Sequence, residues 1–282
     1  MFEKNLLAGR AILITGGGTG LGRSMALRFA ELGAKLHLAG RREAPLREAC
    51  DAIRAAGGAG TYSCCDVRDF AAVERMVEEA EQATGGVDTL VNNAAGNFIA
   101  RTERISPNAF NAVVGIVLNG TFHATLALGR KWIAAGRGGN VLSIVTTYAA
   151  AGCGSGYVVP SACAKAGVLA LTRSLAVEWA RYHIRLNAIA PGPFPTEGAW
   201  SRLMPSADYE ERARNHHPMK RFGRHEELTN LAAYLLAPQA EYVNGECVVI
   251  DGGLWLHGAG EFNNLSELPD EVWQKMEEAR KR

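Results

Sequence analysis

Short apolar runs, rich in aliphatic and β-branched residues, recur along the whole chain and alternate with stretches of helical periodicity. Few folds accept that pattern. The runs cover 11–15, 35–39, 60–64, 89–92, 140–145, 185–190 and 246–250. An uninterrupted apolar run suits a strand covered on both faces, as in a parallel sheet. Helical patterns fill the intervals at 21–32, 44–56, 70–84, 107–135, 160–182 and 226–236. Alternation of this kind means successive βαβ units, and so an α/β fold built on a doubly wound parallel sheet of about seven strands with helices on both faces. A chain of 282 residues, 48 % of them apolar, suits one such domain over 1–282 with a sizeable core. Two stretches depart from the rhythm. Residues 194–224 hold proline, histidine and charge but no strand, and an insertion past a strand's carboxyl end is where α/β enzymes place substrate-covering segments. Residues 254–282 form an extension ending in a charged helix over 270–281, whose Val272 and Met276 are candidates to dock on a neighbour.

Charge narrows the function classes. With 30 basic and 29 acidic residues the net charge is +1, which points away from nucleic acid or an anionic membrane as main partner. No run approaches the roughly 18–20 apolar residues of a membrane span. The opening MFEKNLLAGR has neither a secretory apolar stretch nor an Arg/Ser-rich transit pattern, so the expected location is cytoplasmic. The six cysteines, Cys50, Cys64, Cys65, Cys153, Cys163 and Cys247, form no C-x-x-C pair and read as free thiols in a reducing compartment. The histidines form no ligand pattern, and no metal site is expected.

The chemistry gathers where strands end. Directly after the first run stands Thr15-Gly16-Gly17-Gly18-Thr19-Gly20-Leu21-Gly22, followed by a helix. Glycines let the backbone turn sharply and approach a pyrophosphate, whose charge sits against amides at the helix N-terminus. Between the first strand and first helix of a βαβ unit this is a dinucleotide site, formed by Gly16, Gly18, Thr19, Gly20, Leu21 and Gly22, and it makes the sheet Rossmann-like. The end of the second strand selects the cofactor. NAD enzymes usually place an acid there for the ribose hydroxyls; here Ala39-Gly40-Arg41-Arg42 offers no carboxylate before Glu43. Two guanidiniums suit a 2′-phosphate, so NADPH is the expected cofactor; the alternative is a pair of surface arginines capping the next helix. Asp66, past the third strand, is placed to accept from the adenine amino group or to serve as a turn aspartate.

The glycine pattern, Asn92-Asn93-Ala94-Ala95-Gly96 after the fourth strand and Pro191-Gly192-Pro193 after the sixth resemble the short-chain dehydrogenase/reductase superfamily, over about residues 8–255. The resemblance implies that Asn93 and Ala94 support sheet and cofactor, that Pro191, Gly192 and Pro193 border the nicotinamide, and that Asn119 helps to position the active-site lysine. Most members carry a tyrosine four residues before that lysine, on one helix face with it, and a serine thirteen residues before the tyrosine. The lysine binds the ribose and its charge lowers the tyrosine pKa. Here Ser161 precedes Lys165 by four residues and Tyr148 precedes Ser161 by thirteen, so the two hydroxyl residues have exchanged places. Three readings follow. The chain is a non-catalytic NADPH-binding scaffold; or Tyr157 stands in for the missing tyrosine, although Pro160 puts it ahead of the helix; or Tyr148 reaches the reaction centre from the end of strand five, supported by Ser161.

The third arrangement is similar to the 2,4-dienoyl-CoA reductase branch of mitochondrial type. Longer stretches carry that likeness, among them Gly96-Asn97-Phe98-Ile99, Thr102-Glu103-Arg104-Ile105-Ser106-Pro107-Asn108, Val158-Val159-Pro160-Ser161-Ala162 and Gly198-Ala199-Trp200-Ser201-Arg202-Leu203. Tyr148 and Lys165 are 17 positions apart, about two more than the branch pattern, with the extra residues in 149–154. The resemblance implies NADPH-dependent reduction of a 2,4-dienoyl-CoA to a 3-enoyl-CoA, an auxiliary step of fatty-acid β-oxidation, with hydride to C5. Tyr148 and Asn97 then stabilise the dienolate, Lys165 orients the ribose and Ser161 supports the phenol. Arg68 and Arg202 bind the acyl-CoA, Phe98 and Ser106 line its site, and the assembly is a homotetramer. The runner-up is an NADP-dependent carbonyl or 3-ketoacyl reductase of the same superfamily.

Overall fold

Each apolar run becomes a strand in the computed structural model, which describes residues 3–149, 154–196, 206–259 and 263–280. Strands β1 (Ala11–Thr15), β2 (Lys35–Gly40), β3 (Ala59–Cys64), β4 (Thr89–Asn92), β5 (Gly139–Ile144), β6 (Ile184–Pro191) and β7 (Cys247–Ile250) form one sheet in the order β3-β2-β1-β4-β5-β6-β7. All neighbours pair in parallel. The chain winds outward from β1 to β3, returns to lay β4 beside β1, and winds outward again to β7. Connections leaving β1 and β4 therefore diverge, opening a crevice at the carboxyl ends of those two strands. Thr15 sits opposite Asn92 in the register, so the glycine turn and the Asn92-Asn93 loop enter that crevice together.

Helices α1 (Gly20–Glu31), α2 (Glu43–Ala55), α3 (Phe70–Thr84), α4 (Pro107–Val114), α5 (Gly120–Ala134), α6 (Val159–Glu178), α7 (Ala207–His216), α8 (His225–Leu236), α9 (Leu254–Ala259) and α10 (Asp270–Arg280) surround the sheet. Side chains of successive strand residues point to opposite faces. Ile12 and Ile14 accordingly pack with Met25 and Phe29 of α1 and Leu228 of α8. Leu13 packs instead with Val73 and Met76 of α3 and Leu128 and Trp132 of α5. A third cluster, with Val113, Val117, Val145, Ala164 and Val168, lies between α4, α6 and the end of β5.

Two helix readings are corrected. The apolar run 107–135 is not one α-helix, because a π turn, Gly115–Asn119, separates α4 from α5. Gly120 follows it where a Cβ would stand 2.5 Å from Val67 Cγ2, so the chain must pass close to the β3–α3 connection there. The run is also long and apolar enough by length and composition to cross a membrane, although half of it is buried within this fold. The helix expected over 160–182 ends at Glu178 and closes through a 3-10 turn, Ala180–Tyr182, with His183 at φ 58. The insertion contains α7, whose N-cap Ser206 accepts from Tyr209 N at 3.2 Å. None of α7 is buried, so no apolar stripe marks it in the sequence.

Candidate active site

The cofactor end is built from backbone. Gly16 (φ 66) and Gly20 (φ 53) hold the left-handed conformation that favours glycine. A Cβ on Gly22 would lie 2.2 Å from the Gly16 carbonyl oxygen and 2.5 Å from Asn93 Nδ2, so the helix can approach the turn this closely with glycine alone. Asn93 Nδ2 donates to Thr15 O at 3.2 Å and Gly16 O at 3.0 Å, while Thr15 Oγ1 accepts from the amides of Asn93 (3.1 Å) and Ala94 (3.2 Å). Asn93 and Ala94 thus brace the turn from the β4 side. Helix α1 has Thr19 at its N-cap with no side-chain cap bond, and no acid in its first turn. Its first N–H groups and the positive end of its dipole are left for an anionic ligand.

Gly16, Gly18, Thr19, Arg41, Arg42 and Asp66 line one cleft together with Ala94. This is a cradle of glycine backbone beside two exposed guanidiniums, and it fits a dinucleotide. Neither Arg41 nor Arg42 forms an ion pair among the described residues. Asp66 has a partner of its own: Arg68 Nη2 lies 2.6 Å from Asp66 Oδ2, and the Arg68 amide donates to Asp66 Oδ1 at 3.1 Å. Those bonds hold the Asp66 carboxyl below its ordinary range. Arg68, expected on the acyl-CoA, is engaged with Asp66, and its aliphatic stem lies over Gly115. Cys65 forms part of the cleft wall, where burial pushes its thiol up to about 11 and keeps it protonated.

The hydroxyl pair meets across two elements. Tyr148 lies in a 3-10 turn, Thr147–Ala149, just past β5, and Ser161 sits in the first turn of α6. Tyr148 Oη and Ser161 Oγ are 3.1 Å apart. Ser161 is buried and Tyr148 partly so, which leaves the phenol reachable while its partner is fixed. One turn further along α6, Lys165 is buried and donates to the Ile144 carbonyl at the end of β5. Burial brings its ammonium down to about 8. Tyr157 does not join this group. It is 62 % exposed with φ 66, and it contributes its carbonyl, which accepts from Ala100 N at 2.9 Å.

The remaining residues scatter by role. Asn97 is exposed; its Oδ1 accepts from the Phe98 amide at 2.9 Å, leaving the side-chain NH2 directed elsewhere. Phe98 is partly buried against the third core cluster. Ser106, expected to line the substrate site, caps α4 by accepting from Ala109 N at 3.1 Å, with Pro107 in the first turn. Asn119 is exposed at the last position of the π turn. Pro191, Gly192 and Pro193 leave β6 with the Gly192 amide donating to Ile250 O at 2.9 Å. Arg202 and residues 150–153, the middle of the stretch 149–154 that holds the extra residues, lie outside the described residues. Thr196, unnoticed in the sequence, packs on Gly20 with its Cγ2 3.4 Å from where a Cβ would stand.

A glycine turn braced from β4, an uncapped helix N-terminus and a buried lysine beside a phenol–serine pair together define an NAD(P)-dependent oxidoreductase. The family model described as Enoyl-(Acyl carrier protein) reductase matches residues 16–255. A Bacillus subtilis (strain 168) protein named a probable 2,4-dienoyl-CoA reductase, (2E)-enoyl-CoA-producing, is 46 % identical over 249 residues, spanning 88 % of this chain and 97 % of its own. A Caenorhabditis elegans protein named a probable 2,4-dienoyl-CoA reductase, (3E)-enoyl-CoA-producing, is 39 % identical over 277 residues, spanning 96 % and 89 %. The crystal structure of a short chain dehydrogenase from Bacillus anthracis superposes with a TM-score of 0.80 at 42 % identity, covering 89 % of this chain and 98 % of that one. The chain belongs to the short-chain dehydrogenase/reductase superfamily.

Proposed function

We propose that the chain is an NADPH-dependent 2,4-dienoyl-CoA reductase that yields a 3-enoyl-CoA, an auxiliary step of fatty-acid β-oxidation. The observation that carries this reading is the 3.1 Å contact between Tyr148 Oη and Ser161 Oγ, one helical turn before Lys165. It supports a working phenol at the carboxyl end of β5, where most of the superfamily has serine. The relatives named for the 2,4-dienoyl-CoA reaction support the substrate class.

Bound along the cleft, a reduced nicotinamide supplies hydride. Arg41 and Arg42 would hold the 2′-phosphate that marks NADPH. A dienoyl thioester is an electron sink running from its carbonyl to C5, so hydride addition at C5 places negative charge on the thioester oxygen. Tyr148 and the Asn97 side-chain NH2 donate hydrogen bonds to that oxygen, and fixed donors of this kind contribute on the order of 3 kcal/mol each to lowering a barrier. Ser161 holds the phenol. The Lys165 ammonium orients the ribose. A proton arriving at C2 from solvent then leaves the double bond between C3 and C4. Arg202 anchors the coenzyme A phosphates, Arg68 joins it only by parting from Asp66, and Phe98 borders the acyl chain. The working assembly is a homotetramer, a reading that rests on the resemblance and is checked by sedimentation.

The test follows NADPH absorbance with a 2,4-dienoyl-CoA, a 3-ketoacyl-CoA and no acyl compound. Oxidation with the dienoyl thioester is expected. Oxidation with the ketoacyl compound alone would make the chain a carbonyl reductase, and none with either would make it a scaffold. NMR of the product places the double bond, a point on which the names of the two relatives differ. A 2-enoyl product would move the protonated carbon from C2 to C4.

A further inference from the structure

Helix α1 carries the glycine turn at its N-terminus, and one turn later Ser24 reaches from it to α8. Ser24 Oγ lies 2.7 Å from His225 Nδ1, and His225 Nε2 lies 2.6 Å from the Pro195 carbonyl oxygen. A carbonyl oxygen offers lone pairs alone, so Nε2 carries a hydrogen and donates it. In the neutral ring Nδ1 then accepts the single Ser24 hydroxyl hydrogen at 2.7 Å, the shorter contact, in preference to the Gly20 carbonyl oxygen 3.2 Å from the same Oγ, and one ring orientation satisfies both ring contacts. The imidazole ties together α1, the start of α8 and the chain leaving β6, parts far apart in sequence.

The place where it pulls lies against the glycine turn, at Gly20. Thr196 follows Pro195 and packs on Gly20, with its Cγ2 3.4 Å from where a Cβ would stand. The rest of that stretch is fastened to other neighbours. The Gly192 amide donates to Ile250 O at 2.9 Å, and the Gly223 amide donates to Pro193 O at 3.0 Å. The Phe194 ring occupies the space beside Gly223 that a Cβ would need. Among the described hydrogen bonds, the His225 ring is what links this stretch to α1, the helix whose uncapped N-terminus would face the pyrophosphate of a bound dinucleotide.

We infer that the Ser24–His225–Pro195 relay positions the cofactor by fixing the height of Thr196 above the Gly20 turn, and with it the width of the slot a dinucleotide enters. His225 is a positioning residue, acting through Pro195 and Thr196. The inference rests on the cofactor cleft and not on the identity of the acyl substrate, so it is tested without one. Quenching of protein fluorescence by NADPH, titrated into the full chain, gives Kd for H225N, H225Q and S24A, with each variant's thermal midpoint as the stability control. A glutamine amide reaches the Nε2 position and keeps the donor to Pro195; an asparagine amide stops short of it. H225N is expected to raise Kd about tenfold, as loss of one well-placed hydrogen bond does, and H225Q, which keeps the Pro195 bond and gives up the Ser24 one, to raise it about threefold. Should H225N fail to fold, S24A, which keeps the ring but loses its anchor on α1, is expected to raise Kd about threefold. Equal weakening by H225N and H225Q, or an unchanged Kd in S24A, would make the relay plain scaffolding and overturn the inference. A wild-type chain that bound neither NADPH nor NADH would overturn the cofactor reading, and the inference with it.

Discussion

Single side chains decide which nicotinamide cofactor the cleft prefers. NADPH and NADH differ by a 2′-phosphate, and the end of β2 offers that phosphate two exposed guanidiniums and no carboxylate before Glu43. Arg41→Ala should weaken NADPH by about tenfold while changing NADH by less than about twofold, measured as the two Kd values by fluorescence titration. A parallel loss of both would remove the phosphate from Arg41. A second residue sets a pH limit. Burial lowers the Lys165 ammonium from its ordinary 10.5 to about 8, so the free protein loses this charge as pH rises through about 8. Its charge-assisted hold on the cofactor ribose weakens with it, and kcat/KM should fall above the same pH. In K165R, whose guanidinium stays charged throughout, the falling limb should be absent. A limb that persists unchanged in K165R would assign it to another group.

Between elements, one polar network, buried at His37 and Ser63, joins β2, β3 and α3. His37 on β2 bonds Thr61 Oγ1 at 2.9 Å and Ser63 Oγ at 2.7 Å, and Ser63 donates in turn to Glu79 on α3. Burial outweighs the attraction of Glu79 and lowers the imidazole to about 4. The unfolded chain takes up that proton near pH 6.5, the native one near 4, so between these values the unfolded state holds more protons. Stability should therefore decline as pH falls from about 6.5 to about 4, by up to about 3 kcal/mol from this residue. Urea unfolding at several pH values checks it: H37Q should be less stable at neutral pH and show a shallower decline. An identical slope would place the acid sensitivity elsewhere. The central strands of this sheet were legible because a parallel sheet is covered on both faces, so β1, β4, β5 and β6 are buried almost throughout, while edge strand β3 alternates. Helix α7 was not, since it buries nothing and carries no stripe. Nor was the π turn, because Gly115 and Gly120 leave the apolar periodicity of 107–135 intact while the backbone gains its extra residue.

The whole molecule brings residues far apart in sequence to one crevice. The order β3-β2-β1-β4-β5-β6-β7 opens it between β1 and β4, with the β5 end and α6 alongside. Much of the candidate site's layout was readable from spacing: the glycine turn, the two arginines, and the exchanged tyrosine and serine, which the fold brings within 3.1 Å of each other. What spacing could not reveal is competition for each group. Arg68 is bound to Asp66, and Ser106 caps α4, because an ion pair or an N-cap satisfies a side chain locally before any ligand arrives. Tyr157 and Tyr148 were alternatives in the sequence, and exposure and contacts separate them in the fold. The most direct measurement is stopped-flow oxidation of bound NADPH by a 2,4-dienoyl-CoA in wild type, Y148F and Y157F. Y148F should bind NADPH normally and slow hydride transfer by about 100-fold or more, while Y157F stays within about twofold. Equal rates in Y148F and wild type, or a larger loss in Y157F, would contradict a phenol working from the end of β5.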